Sequence, residues 1–203
     1  DAMRLLMGVS VDGAVAQLDD IGVSCGTWLQ SIFNKMTNPS LIRETEASEN
    51  LKARLRHYQQ QGLNWLNFMT TLGFGVLLAD DMGLGKTVQI LAHLQKLKKQ
   101  GRTSLIVVPA SLLENWRQEI MKFTPDLATV VLHPQMMKSE EIKSAKTIVK
   151  KSDLVITTYG MVGRYEWLKS HEWFYVICDE AQAIKNPLTR QTKDVKKLKC
   201  LHR

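Results

Sequence analysis

The chain has 203 residues, 44% of them hydrophobic and 23% charged, with a formal net charge of +7, proportions that suit a soluble globular protein with one sizeable α/β core and a small appendage. No apolar run reaches membrane-spanning length and no basic-then-apolar signal segment opens the chain, while the three widely spaced cysteines, Cys25, Cys178 and Cys200, suit neither a disulfide framework nor a zinc knuckle. The charge is uneven: residues 1–50 carry three Lys/Arg against seven Asp/Glu (−4) and residues 51–203 carry 24 against 13 (+11), so a surface attractive to polyanions, nucleic acid above all, belongs to the second part.

Residues 1–50 carry no recognisable chemistry. Leu5-Leu6-Met7 and the run from Trp28 to Met36 read as short helices with Gly8, Gly13, Gly22 and Gly26 interrupting, Asn38-Pro39-Ser40 as a turn, and Glu44 to Asn50 as a polar linker. The opening has the look of a piece cut from something longer. From Leu55 to Met69 an apolar stripe of Tyr58, Leu63, Trp65, Leu66 and Met69 has helical spacing and reads as an amphipathic helix on the core. Gln59 on that helix offers a donor and an acceptor together, which is also what an adenine edge requires.

Gly75-Val76-Leu77-Leu78-Ala79 reads as a buried strand, and Thr87-Val88-Gln89-Ile90-Leu91 opens a helix expected to run to about Lys99. The turn between them is Asp81-Met82-Gly83-Leu84-Gly85-Lys86-Thr87. Gly83 and Gly85 allow the backbone to curl round an anion, Lys86 adds a mobile positive charge, and the Thr87 hydroxyl can ligate Mg²⁺. The match keeps the Gly-x-Gly-Lys-Thr core of a phosphate-binding loop, with Asp80 where the strict signature has its first glycine.

Ser104 to Pro109 reads as a second buried strand, Ser111 and Glu114 as a capping box on the next helix, Leu127 to Leu132 as a third strand, Ser139 to Val149 as a helix and Asp153 to Tyr159 as a fourth strand. Glu172 to Cys178 is an apolar strand ending at Asp179-Glu180-Ala181-Gln182, where two adjacent carboxylates are costly unless a cation or solvent meets them. In a nucleotide site Asp179 holds Mg²⁺ and Glu180 orients and deprotonates the attacking water; otherwise the pair only caps a helix. A basic helix from about Leu188 to Leu198, with Lys185, Arg190, Lys193, Lys196, Lys197 and Lys199 nearby, reads equally as a solvated face or a polyanion surface. The alternation of strand and helix predicts a mostly parallel sheet covered on both faces, a three-layer α/β domain with its ligands at the C-terminal strand ends.

Leu55 to Trp65, Asp80 to Gln89, Leu105 to Glu119, Ile156 to Gly160 and Asp179 to Pro187 together resemble the ordered motifs of SWI/SNF-type DNA-translocating ATPases of helicase superfamily two. The resemblance covers roughly residues 51–203 and implies the first RecA-like lobe of such a motor, with residues 1–50 as an appendage. It implies ATP and Mg²⁺ as cofactors, Gln59 as the adenine reader, Asp81 to Thr87 as the phosphate and metal loop, Lys86, Asp179 and Glu180 as the catalytic set, and Thr87 with Asp179 as metal holders. Pro109-Ala110-Ser111 and Thr157-Thr158-Tyr159 resemble segments that touch the DNA backbone. Gln182 stands where better-known members have histidine, which leaves open how hydrolysis couples to lobe movement and looks more like a prokaryotic member.

The implied partners are double-stranded DNA, the second lobe of the same full-length chain and a DNA-bound protein complex, with no membrane; the implied compartment is the nucleoid-associated cytoplasm of a prokaryote or the nucleus of a eukaryote. Nothing resembles the second lobe, and the chain stops before the last motif of the first, so this stretch alone is expected to hydrolyse little ATP. Two rivals remain open: a strand-separating helicase or restriction-type translocase, and a non-catalytic nucleotide- or DNA-binding module.

Overall fold

The computed structural model describes residues 26–98 and 102–203. The helix expected at Leu5 to Met7, the glycines at positions 8, 13 and 22, and Cys25 lie outside these residues. Two compact units divide between Leu41 and Ile42. In the first, helix α1 (Thr27–Thr37) buries Ile32 and Phe33, and a 3₁₀ turn follows at Pro39–Leu41. The helix expected from Trp28 to Met36 is therefore present.

The second unit begins before the expected polar linker has ended. Thr45 is buried because helix α2 (His57–Thr71) clamps it: its N–H donates to Asn64 Oδ1 at 2.8 Å, its carbonyl accepts from Gln60 Nε2 at 2.6 Å, and its hydroxyl accepts from Asn67 Nδ2 at 3.2 Å. Polar composition suggested a loose connection here, but a row of amides on one helix face satisfies this backbone.

The sheet has five strands, β1 (Ser104–Val108), β2 (Thr129–Leu132), β3 (Leu154–Thr158), β4 (Glu172–Cys178) and β5 (Lys199–His202), all parallel in the order β2-β3-β1-β4-β5. Ile106 pairs with Ile156 on one side and Ile177 on the other. Residues of opposite parity supply the two faces. Ile106, Val108, Leu154 and Ile156 pack under helices α3 (Lys86–Leu97) and α4 (Leu113–Phe123), through Leu91, Leu94, Trp116 and Ile120. Leu105, Val107, Val155 and Val176 pack under the short helices α5 (Ser139–Ser144), α6 (Lys146–Val149), α7 (Tyr159–Arg164) and α8 (Trp167–Ser170), together with α9 (Arg190–Lys196). This is the expected three-layer arrangement.

Three local expectations need correction. Gly75 to Ala79 is not a strand: its recorded backbone bond is from Val76 N–H to the Arg203 carbonyl, no ladder forms, and Leu77 is 78% exposed. Ser111 does not cap α4; it lies in a 3₁₀ turn at Ala110–Leu112, and Glu114 instead pairs with Arg117 at 2.7 Å. The expected Ser139–Val149 helix breaks at Ala145, whose N–H bonds three residues back to Ile142 while Ser144 Oγ donates to the Glu140 and Glu141 carbonyls, a side-chain competition that tightens the turn. Helix α3 is described to Leu97, with Lys98 as its cap; Lys99, at the expected end of the helix, lies outside the described residues. Of the basic run near the C-terminus, Lys185, Arg190, Lys193, Lys196, Lys197 and Lys199 are all exposed.

A buried polar knot ties α2 and α3 to β4. His93 Nε2 lies 3.3 Å from Thr70 Oγ1 and 3.2 Å from the Tyr175 hydroxyl, which also bonds Thr70, and His202 stacks on Tyr175. Burial, then the neighbouring His202 and Lys96, push His93 down to about 4. The folded protein therefore keeps His93 neutral where the unfolded chain would protonate it. Stability from this group is complete above about pH 6.5 and falls as the pH drops towards 4, by about 3 kcal/mol in all. Denaturant midpoints measured between pH 7 and pH 4.5 will fall more steeply for the parent than for His93→Gln; equal slopes would remove the histidine from the account.

Candidate nucleotide site

The turn from Asp80 to Gly85 leads directly into α3, so the helix presents its unpaired N–H groups and positive dipole end to whatever the loop encloses. Gly83 and Gly85 have φ of 82° and 77°, a left-handed backbone that side chains rarely adopt. Gly85 has a second reason to lack a side chain: an added Cβ would lie 2.5 Å from Gln59 Nε2. Lys86 Nζ donates to the carbonyls of Asp80 at 2.7 Å and Asp81 at 3.0 Å, which bends the ammonium back over the loop. Asp81, Met82 and Leu84 are exposed on the rim, Met82 at 90%.

Helix α2 brings Gln59 to this loop. Its Oε1 accepts the Arg56 N–H at 2.9 Å and its Nε2 donates to the Leu84 carbonyl at 3.1 Å, so a residue 25 positions upstream touches the phosphate loop. Gln89, on the first turns of α3, donates to Asp80 Oδ2 at 2.9 Å and fixes the start of the loop. Sequence spacing gave no sign of that contact.

Asp179 and Glu180 follow the C-terminal end of β4, half-buried. The Asp179 N–H donates to the Val107 carbonyl at 2.9 Å, continuing the ladder by one residue, and its Oδ1 accepts the Glu180 N–H at 2.9 Å. That turn puts Glu180 at φ 50°, the one non-glycine residue with positive φ among the described residues. Holding a glutamate there costs on the order of 1 kcal/mol or more, and strain of this kind collects where a side chain must be aimed. Gln182 Nε2 bonds Glu180 Oε2, so the residue at the fourth motif position touches the carboxylate at the second.

The donor set suits a hard divalent cation. Among the described residues the Thr87 hydroxyl makes no hydrogen bond and each carboxylate oxygen of Asp179 accepts one, which leaves room for a hydrated ion. No group of three or more His, Cys, Asp or Glu side chains among the described residues forms a separate metal cluster.

Pro109, Ala110 and Ser111 leave the sheet at the end of β1, with Ala110 and Ser111 exposed. Thr157, Thr158 and Tyr159 end β3 with their side chains buried: Thr157 Oγ1 donates to the Leu132 carbonyl at 2.9 Å and the Tyr159 hydroxyl to the Asp179 carbonyl at 2.7 Å. Exposure in that stretch begins at Gly160.

A parallel sheet under two helical layers, with a glycine-turned phosphate loop feeding a helix and paired carboxylates at a strand end, defines a P-loop nucleotide-binding domain of RecA-like architecture. The chain belongs to the SNF2-related domain family, whose sequence profile matches residues 58–203. It is 40% identical over 206 residues to the putative ATP-dependent helicase/translocase YwqA of Bacillus subtilis, covering 94% of this chain and 22% of that protein. It is 42% identical over 164 residues to the ISWI chromatin-remodeling complex ATPase ISW2 of Saccharomyces cerevisiae, covering 79% of this chain and 14% of that one. The Sulfolobus solfataricus SWI2/SNF2 ATPase core solved in complex with dsDNA superimposes with a TM-score of 0.72 at 44% identity, over 79% of this chain and 33% of that chain. The chain thus spans about a fifth or less of the length of these two curated relatives.

Proposed function

We propose that the chain is the first ATP-binding lobe of an ATP-dependent double-stranded DNA translocase, in a full-length protein whose second lobe completes the site. The observation that carries this reading is the hydrogen bond from Gln59 to Leu84. It seats a base-reading amide on the phosphate loop of a chain that also bears the Asp179-Glu180 pair and belongs to the SNF2-related family.

In this reading the loop N–H groups from Gly83 to Thr87 and the Lys86 ammonium bind the β- and γ-phosphates, and Lys86 exchanges the Asp80 and Asp81 carbonyls for phosphate oxygens. Gln59 exchanges its bond to Leu84 for the adenine edge. Thr87 and Asp179 hold Mg²⁺, which supplies charge neutralisation at the phosphates when bound. Glu180 orients the attacking water and takes its proton. DNA lies along the C-terminal strand edge against Pro109, Ala110, Ser111 and the segment from Thr157 to Gly160; because Thr157, Thr158 and Tyr159 are buried, the latter contact in this reading is made by backbone and by Gly160. The likeness to YwqA and to the Sulfolobus core supports a prokaryotic setting.

The test is ATP turnover with and without double-stranded DNA, for the full-length protein, its Lys86→Ala variant and the isolated chain. The expected result is DNA-stimulated turnover in the full-length protein alone, because the arginines that a second lobe contributes in this family are worth on the order of 10³-fold. Absence of stimulation in the full-length protein would favour a nucleotide- or DNA-binding module, and strand displacement would favour a helicase.

A further inference from the structure

Asp179 is gripped from both helical layers of the fold. Trp116, on α4, reaches it from the face of the sheet lined by Ile106 and Ile156, and its indole Nε1 donates to Asp179 Oδ2 at 2.7 Å. Tyr159, the first residue of α7, reaches it from the face lined by Val107 and Val155, and its hydroxyl donates to the Asp179 carbonyl at 2.7 Å. Both rings are almost fully buried, at 2% and 5% exposure, so neither donor can swing away without opening a core layer.

We propose that Trp116 and Tyr159 are positioning residues that set the carboxylate and backbone of Asp179, and through them the aim of Glu180, so that events on the two segments after β1 and β3 are felt at the metal-holding group. The grip works in three steps. The indole takes Oδ2 and thereby selects one carboxylate orientation. In that orientation Oδ1 accepts the Glu180 N–H and draws Glu180 into its left-handed turn. The phenol fixes the peptide oxygen on the other side of the same residue, so the Asp179-Glu180 turn has no free rotation left.

The connection outward is short. Trp116 lies five residues beyond Ser111, in a helix continuous with the Ala110–Leu112 turn, and Tyr159 directly follows Thr158. A rigid ligand pressed against either segment therefore moves a ring that is hydrogen-bonded to Asp179. For DNA as that ligand, the inference rests on the function proposed above; the hold on Asp179 does not.

Two variants of the full-length protein separate these claims. Tyr159→Phe removes one oxygen and keeps the ring; Trp116→Phe removes the indole donor at the cost of a cavity, so its melting temperature is measured beside its activity. The first readout is the Mg²⁺ concentration that half-saturates tight binding of a fluorescent ATP analogue, which should rise by about tenfold in each variant, as residues supporting metal ligands usually show. Affinity for the same analogue in EDTA should stay within about twofold, which a general loss of structure would not allow. The second readout is the ratio of turnover with DNA to turnover without it, which should fall by about tenfold. Unchanged half-saturation in folded Tyr159→Phe and Trp116→Phe overturns the positioning role. If the metal readout shifts while the parent itself shows no DNA stimulation, the positioning role stands and the DNA reading falls.

Discussion

Glu180→Gln in the full-length protein will bind ATP and Mg²⁺ with about the parent's affinity and lose turnover by on the order of 10²–10⁴-fold. The amide keeps the size of the carboxylate and its hydrogen bond to Gln182 can re-form through the remaining oxygen, so the left-handed turn at residue 180 survives. What disappears is the only group at that position able to accept a proton from water. A single-turnover experiment with prebound nucleotide separates the two effects, because loss of chemistry leaves the complex trapped whereas loss of binding empties it. Parent-like turnover would mean that another group activates the water, and would demote Glu180 to a structural residue.

The second large effect concerns stability. Lys169→Met will cost about 3 kcal/mol, read as a shift in the urea midpoint. The Lys169 ammonium sits 2.8 Å from Asp194 Oδ1 and 2.7 Å from Glu166, and the Lys169 and Asp194 side chains are only 9% and 8% exposed. The hydrogen bond to Asp194 raises the lysine and the same bond lowers the aspartate, so each charge holds the other in place. Methionine keeps most of the volume but strands the Asp194 carboxylate, with Arg190 at 3.7 Å as its remaining partner. Adding Asp194→Leu to Lys169→Met should restore most of the loss, since an apolar pair of similar volume has no charge to desolvate. A loss below about 1 kcal/mol in the single variant would show that the exposed Arg190 takes over the pairing.

The sheet was legible because its strands are runs of β-branched and apolar residues buried on both faces, as in Ser104 to Val108 and Glu172 to Cys178, where local composition and tertiary environment ask for the same thing. The phosphate loop was legible because glycines at a helix start have few other uses. What escaped the sequence depends on partners far along the chain. Gly75 to Ala79 has strand composition without a strand's ladder, Ser111 has a capping residue's chemistry in a 3₁₀ turn, and Ser144 breaks a helix through bonds that spacing does not reveal. Nothing in the sequence singles out Trp116, whose polar atom meets a residue 63 positions downstream. The buried Lys169 lies in a stretch where lysine ordinarily signals solvent, and no local pattern marks the one that turns inward.

Gly62 gives the site a mechanical property. A Cβ there would fall 1.8 Å from Gln89 Oε1, so α2 and α3 approach closely enough for the Gln89 amide to lie between them while its other end holds Asp80. On the same face of α2, three residues earlier, Gln59 holds Leu84. Helix α2 therefore meets the loop directly through the one bond from Gln59 to Leu84, and indirectly through its close packing on α3, whose Gln89 holds Asp80 at the other end of the turn. In the function proposed above Gln59 gives up its bond to Leu84 when it turns to the base, but the contact of Gly62 with Gln89 does not depend on that bond and keeps α2 beside α3. On that reading a swing of lobes would leave the helix bearing Gln59 and the helix bearing Lys86 together, and would change only what approaches them from outside.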